Sequence, residues 1–216
     1  MSTTAFDALR SYIESTTEAS EALQAARAHA AEFGLPAPDE ATGQLLSTLA
    51  NASTSGERAQ AVAISPAASV VGLYLLQGLP DNGILTCIDP EAEHQANAKQ
   101  AFRTAGYPTT RVRFLPARPL DVVGRLANDA YQVIYAEVSA LDMLALVKAT
   151  WPLLAPHGTL VLANSLLDGT LADDTRNDRD TAAAREADEY VRELSDATVT
   201  RLPLGGGLTL ITKKSA

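Results

Sequence analysis

Cysteine is almost missing from this chain of 216 residues: Cys87 stands alone. One thiol excludes an intrachain disulfide and any cysteine-rich zinc site. Basic residues are under-represented as well, with 17 Lys and Arg against 26 Asp and Glu, a formal charge of −9. A surface of that sign repels phosphate backbones and anionic headgroups, which excludes nucleic-acid or lipid binding through a general electrostatic footprint. No apolar run has the length of a membrane span, because polar residues interrupt each candidate within about ten positions. Met1 to Glu14 shows no basic start followed by an apolar stretch, so no signal peptide is expected. These absences lead to the expectation of a soluble, cytoplasmic protein. What is present is core material: 46% of residues are hydrophobic and 20% charged. The length suits a single domain over residues 1–216, with 1–35 as a helical appendage.

That appendage reads as two helices. Thr3 or Thr4 caps a short amphipathic segment, Phe6–Ile13, and a longer one runs from about Thr17 to Phe33. Gly34 and Pro36 end it in the usual order. Ala22, Leu23, Ala26, Ala30 and Phe33 give the second helix one sticky face, which serves intradomain packing or a homodimer contact.

From residue 41 helical patterns alternate with short apolar runs. Helices are expected over 41–49, 68–77, 91–105, 120–128 and 141–154. Strands are expected over 59–64, 84–88, 111–115, 132–136 and 159–163. Such alternation predicts a parallel sheet covered on both faces. The end of the chain departs from it: a charged loop over 173–180 and a helix over 181–194 lead to two strand-like runs, 198–202 and 208–212. Gly205, Gly206 and Gly207 lie between those runs. A glycine turn makes them a hairpin, so one must run antiparallel to the rest. The fold class is therefore a doubly wound, mostly parallel seven-stranded α/β sheet with a C-terminal antiparallel hairpin.

The stretch Ala63–Glu91, AISPAASVVGLYLLQGLPDNGILTCIDPE, resembles the first cofactor-binding segment of class I S-adenosylmethionine-dependent O-methyltransferases of the catechol and caffeoyl-CoA type. Thr42-Gly43-Gln44-Leu45-Leu46 is similar to the family's segment before the first strand, and Leu204–Leu208 to its final hairpin. The resemblance covers roughly residues 40–213. It implies methyl transfer from S-adenosylmethionine to a hydroxyl of a small molecule, with cofactor contacts from Gly43, Ser65, Ser69, Asp89, Ala117, Arg118 and Glu137. A βα turn offers unpaired N–H groups to such a ligand, and an acidic residue ending the second strand, here Asp89, accepts hydrogen bonds from the ribose hydroxyls. Asp89 also reads as a helix N-cap.

The family's glutamate and three glycines fall on Ala63, Ser65, Ala67 and Ser69. Ser65, Ala67 and Ser69 each add a Cβ where a turn can require φ > 0 or close ligand approach, Ala63 offers no carboxylate, and Pro66 removes a donor. The family's three protein metal ligands fall on Glu137, Ala163 and Asn164, so only two oxygen ligands persist where a hard cation takes six in all. A metal-independent site is expected. His29, His94 and His157 read as solvated, Cys87, Tyr74 and Trp151 as packing residues, and Asp168-Gly169 as the start of a lid. No general base is apparent. Two other readings stay open: a non-catalytic binding or assembly module of the same fold, and a nicotinamide-dependent enzyme, which lacks its G-x-G-x-x-G loop here.

Overall fold

The computed structural model describes residues 4–52 and 59–215; Thr3, one of the two candidate caps, lies outside them. Helix α1 (Ala5–Thr16) opens on Thr4, whose Oγ1 accepts the Asp7 N–H at 3.2 Å while Asp7 Oδ2 accepts the Thr4 N–H at 3.1 Å. This is a reciprocal capping box. Helix α2 (Glu21–Glu32) begins later than the apolar spacing predicts, because Ser20 caps it by accepting the Leu23 N–H at 3.3 Å. It closes with Gly34 at φ +61°, the Gly34 N–H donating to Ala31 O and the Leu35 N–H to Ala30 O. Those paired bonds satisfy carbonyls that the helix itself leaves open. Ala22, Leu23, Ala26 and Ala30 are buried, but Phe33 is 57% exposed. At the C-cap it leaves the apolar stripe and packs on the His29 ring, with centroids 4.5 Å apart.

The remaining elements are α3 (Glu40–Ala52), β1 (Gln60–Ile64), α4 (Ala68–Gly78), β2 (Ile84–Ile88), α5 (Ala92–Thr104), β3 (Val112–Leu115), α6 (Pro119–Val122), β4 (Tyr131–Ala136), α7 (Ala140–Thr150), β5 (Leu154–Leu162), α8 (Arg179–Glu193), β6 (Ala197–Leu202) and β7 (Leu208–Lys213). The helix expected to reach Asn128 stops early and gives way to a 3-10 turn over Val123–Arg125. The helix expected to reach Leu154 ends at Thr150, where Pro152 cannot continue the bonding. Trp151 therefore opens a 3-10 turn, and its indole N–H donates to Asp196 Oδ2 at 3.2 Å.

The strands lie in the order β3-β2-β1-β4-β5-β7-β6, the first five parallel and β7 antiparallel to both its neighbours. Successive residues of β1 feed opposite layers. Ala61 and Ala63 pack towards α2–α5, while Val62 and Ile64 pack towards α7 and α8. All four are at most 1% exposed. Burial on both faces accounts for the unbroken apolar runs, each large side chain contributing about 1.5–3 kcal/mol.

Register brings the strand ends level. Ile64 pairs with Ile88 and Ala136, Ile88 with Leu115, and Ala136 with Leu162. The next residues, Ser65, Asp89, Glu137 and Ala163, consequently form one row along the carboxyl edge. The strand order reverses between β1 and β4, which is where open α/β sheets form a ligand crevice.

Candidate cofactor and acceptor site

The β1–α4 turn carries Ser65, Pro66 and Ala67. None of them has a positive φ, and neither does Ser69. The backbone of the turn therefore does not itself demand glycine, whose special freedom is at positive φ. Ser65 Oγ accepts the Ala67 N–H at 3.1 Å, which fixes the bend. The Val70 and Val71 N–H groups bond to Ala67 O, while those of Ala68 and Ser69 lie outside the bonding of α4. Those two first-turn amides are a ready anion- or dipole-binding element.

Asp89 ends β2 and is 4% exposed. Its Oδ1 accepts the Glu91 N–H at 2.9 Å, and its Oδ2 lies 2.7 Å from His94 Nδ1. The N-cap reading needs correction: Glu91 occupies the cap of α5, and Asp89 instead closes a turn two residues earlier. The reading of His94 as solvated is corrected too, because the first turn of α5 carries its ring back onto Asp89. The spacing D-x-x-x-x-H across a helix start was the available signal. His157 is exposed, in the turn inside β5.

Glu137 ends β4. Its Oε1 accepts Asn164 Nδ2 at 2.7 Å, and Tyr135 Oη lies 3.4 Å from Oε2. Burial pushes the Glu137 carboxyl up to about 7, opposed by the hydrogen bond from Tyr135. Burial, with the Glu137 and Asp39 charges, holds the Tyr135 phenol well above its usual range. A group near 7 is half-ionised at neutral pH and suited to proton exchange. These side chains line a cavity of about 290 Å³, together with Asp39, Thr42 and Arg10. Asp39 caps α3 by accepting the Thr42 N–H at 2.8 Å, a cap legible in the sequence as D-x-x-T.

The residues present do not fit a divalent metal. Asn164 gives its amide nitrogen to Glu137 and its Oδ1 to the Gly206 N–H at 3.1 Å. Ala163 offers no ligand atom, and no group of three His, Cys, Asp or Glu able to hold a metal occurs among the described residues.

Two other predicted contacts, Ala117 and Arg118, follow β3. The Ala117 N–H donates to Leu115 O at 3.0 Å, and Arg118 is exposed at the start of α6 without an ion-pair partner among the described residues. Gly43 follows Thr42, which lines the cavity beside Glu137. A Cβ on Gly43 would overlap the Tyr74 ring, so its small size serves the packing of α3 on α4. Tyr74 is also more than a packing residue: its hydroxyl lies between Arg27 Nη2 and Glu40 Oε1. The loop after β5 holds Asn164, Leu167, Asp168 and Gly169 at positive φ, and the Asp168 N–H bonds to Gly206 O at 3.1 Å.

Comparison with known proteins gives this geometry its class. The family model described as O-methyltransferase matches residues 26–214. A Mycolicibacterium vanbaalenii protein, named provisionally as an O-methyltransferase, is 36% identical over 202 residues, 94% of this chain and 88% of the relative. A Corynebacterium glutamicum protein of known crystal structure is 61% identical, with a TM-score of 0.96 over 99% of both chains. TomG, an O-methyltransferase of Streptomyces achromogenes solved with S-adenosylmethionine, shares the fold at a TM-score of 0.85, with 23% identity over 96% of each chain. The chain belongs to the O-methyltransferase family, as the segment Ala63–Glu91 implied.

Proposed function

We propose that this protein transfers the methyl group of S-adenosylmethionine to a hydroxyl oxygen of a small molecule without a bound metal. The observation that carries the proposal is the level row of Ser65, Asp89 and Glu137 at the β1/β4 crevice, beside the free first-turn amides of α4. Family membership and the cofactor bound to TomG support it. In this reading Asp89 takes the ribose hydroxyls, Ala117 and Arg118 flank the adenine, and Ser65, Ser69 and Glu137 line the methionine end. The acceptor enters the cavity near Asn164, whose volume of about 290 Å³ lies at the small end of ligand pockets. The sulfonium makes the methyl group an electrophile. Transfer breaks its bond to sulfur, forms a bond to the acceptor oxygen and releases the hydroxyl proton. The protein's task is to align the two partners and keep water away.

The whole chain is proposed to act as one domain in the cytoplasm, as a homodimer that uses residues 1–35. Helix α1 supports this assignment with Phe6, Leu9 and Tyr12 exposed. Sedimentation of a form lacking residues 1–35 tests the interface, and an unchanged dimer rejects it.

Calorimetric titration with S-adenosylmethionine, S-adenosylhomocysteine and NAD tests the function. Binding of the first two and not the third is expected. No binding of S-adenosylhomocysteine at millimolar concentration would favour a non-catalytic binding module. The absent carboxylate at Ala63 and the burial of Ser65 and Ser69 are the features on that side.

A further inference from the structure

We propose that His94 is a positioning residue for the cofactor: it fixes the Asp89 carboxylate so that each oxygen presents one free lone pair to the ribose diol. The inference rests on the reading that Asp89 meets the ribose, and adds the group that makes it competent to do so.

Asp89 is 4% exposed, and a carboxylate so enclosed needs donors. Two come from the start of α5, which also donates to the Asp89 main-chain carbonyl. The Glu91 N–H reaches Oδ1 at 2.9 Å, His94 Nδ1 reaches Oδ2 at 2.7 Å, and Gln95 Nε2 donates to the Asp89 carbonyl at 2.8 Å. An ionised carboxylate only accepts hydrogen bonds, so Nδ1 carries the proton of this contact. With one donor on each oxygen, rotation about the Cβ–Cγ bond is blocked. Each oxygen keeps a lone pair, since a carboxylate has about four acceptor positions. Two adjacent hydroxyls need two acceptors held in one plane, and only His94 fixes the second. Glu91, at the cap, makes no side-chain bond to the helix, so the start of α5 is held through Asp89 rather than by a separate cap. His94 itself turns back from the helix surface to make the contact, with its side chain 21% exposed.

The test uses three variants of the full chain, measured by S-adenosylhomocysteine titration and by steady-state kinetics. His94→Ala is expected to weaken S-adenosylhomocysteine about tenfold. It should raise KM for S-adenosylmethionine by a similar factor, with kcat at saturation within about twofold of wild type. His94→Asn places an amide nitrogen where Nδ1 stands and should recover binding, whereas His94→Gln places it one atom further out and should not. A merely structural role would not separate Asn from Gln, and urea midpoints measured on all three check the fold. Unchanged or tighter binding in His94→Ala would overturn the inference, the latter by showing that the imidazole competes with the ribose. Failure of a folded His94→Asn to recover binding would overturn it too. In each of those cases the wild type binds the ligand. Wild-type protein that does not bind overturns the cofactor reading itself, and the His94 role with it.

Discussion

Asn164 faces Glu137 across the ends of β5 and β4, donating from Nδ2 to Oε1 at 2.7 Å while its Oδ1 accepts the Gly206 N–H at 3.1 Å. Its backbone sits at φ +50°, a conformation asparagine tolerates better than most residues. One side chain thereby joins the ends of two parallel strands to the turn of the terminal hairpin. A Cβ at Gly206 would stand 2.6 Å from that Oδ1, so the turn needs glycine there for the approach. The amide oxygen that a hard cation would take is engaged by backbone.

On the proposed reading, divalent metal has no part in the reaction. Dialysis against a chelator, or addition of millimolar Mg²⁺, should leave both methyl transfer and S-adenosylhomocysteine affinity unchanged. Activity that disappears with the chelator and returns with the metal would defeat this expectation.

Asp89→Ala should weaken S-adenosylhomocysteine by roughly tenfold to a hundredfold, since a charge-assisted hydrogen bond is worth about 1.5–3 kcal/mol. The turn closed by the Glu91 N–H is lost as well, so a thermal melt belongs beside the titration. Unchanged binding would place the cofactor elsewhere.

Glu137 makes stability depend on pH with a definite sign. Its folded value, about 7, lies above the ordinary 4.5, so between those values the folded state holds a proton that the unfolded state has released. Stability must then fall as pH rises from 4.5 to 7, by roughly 3 kcal/mol at most. Glu137→Gln should flatten that slope, leaving stability at pH 4 nearly unchanged and raising it at pH 8. Urea midpoints measured from pH 4 to 8 would show this, and parallel curves for the two proteins would refute it.

Gly43→Ala should destabilise the protein by about 1–3 kcal/mol, although alanine is the better helix former by about 1 kcal/mol. Tyr74 cannot swing aside, because its hydroxyl is held by Arg27 and Glu40. Gly124→Ala, in the 3-10 turn where the added carbon meets nothing within 4 Å, is the control without a clash. Equal melting temperatures for the two variants would show that the Tyr74 ring yields.

Arg27→Ala should be costly through the partner left behind. Glu40 is 4% exposed, and Arg27 Nη2 lies 2.7 Å from its Oε2. A buried carboxylate that loses its ion-pair partner is destabilising by about 3–5 kcal/mol, lessened here because the arginine is itself partly open to solvent and because the Tyr74 hydroxyl and Gln44 Nε2 still donate to Glu40 Oε1. Arg27→Ala with Glu40→Gln should recover part of the loss, and a double-mutant cycle of urea midpoints measures how much.

The alternation of apolar runs and helical patterns was enough to determine the five parallel strands, and Gly205–Gly207 the antiparallel hairpin. Period and turn chemistry are local properties that survive in a string of residues. Asp89 and Glu137 were legible as candidate site residues through the family resemblance, each being a carboxylate that follows an apolar strand directly. Helix ends were less legible: Ser20 displaced the start of α2 and Pro152 the end of α7, where single residues outweighed periodicity. Only the tertiary structure decided what the small residues do. It shows Gly43 answering to Tyr74, 31 positions away, and the backbone of the β1–α4 turn not itself demanding glycine, because φ is set by the path of the chain and not by composition. It alone decided that His94 belongs to Asp89 and that Asn164 is engaged by Glu137 and Gly206. Those bonds depend on how helix starts and strand ends meet in space, and sequence spacing does not record that distance.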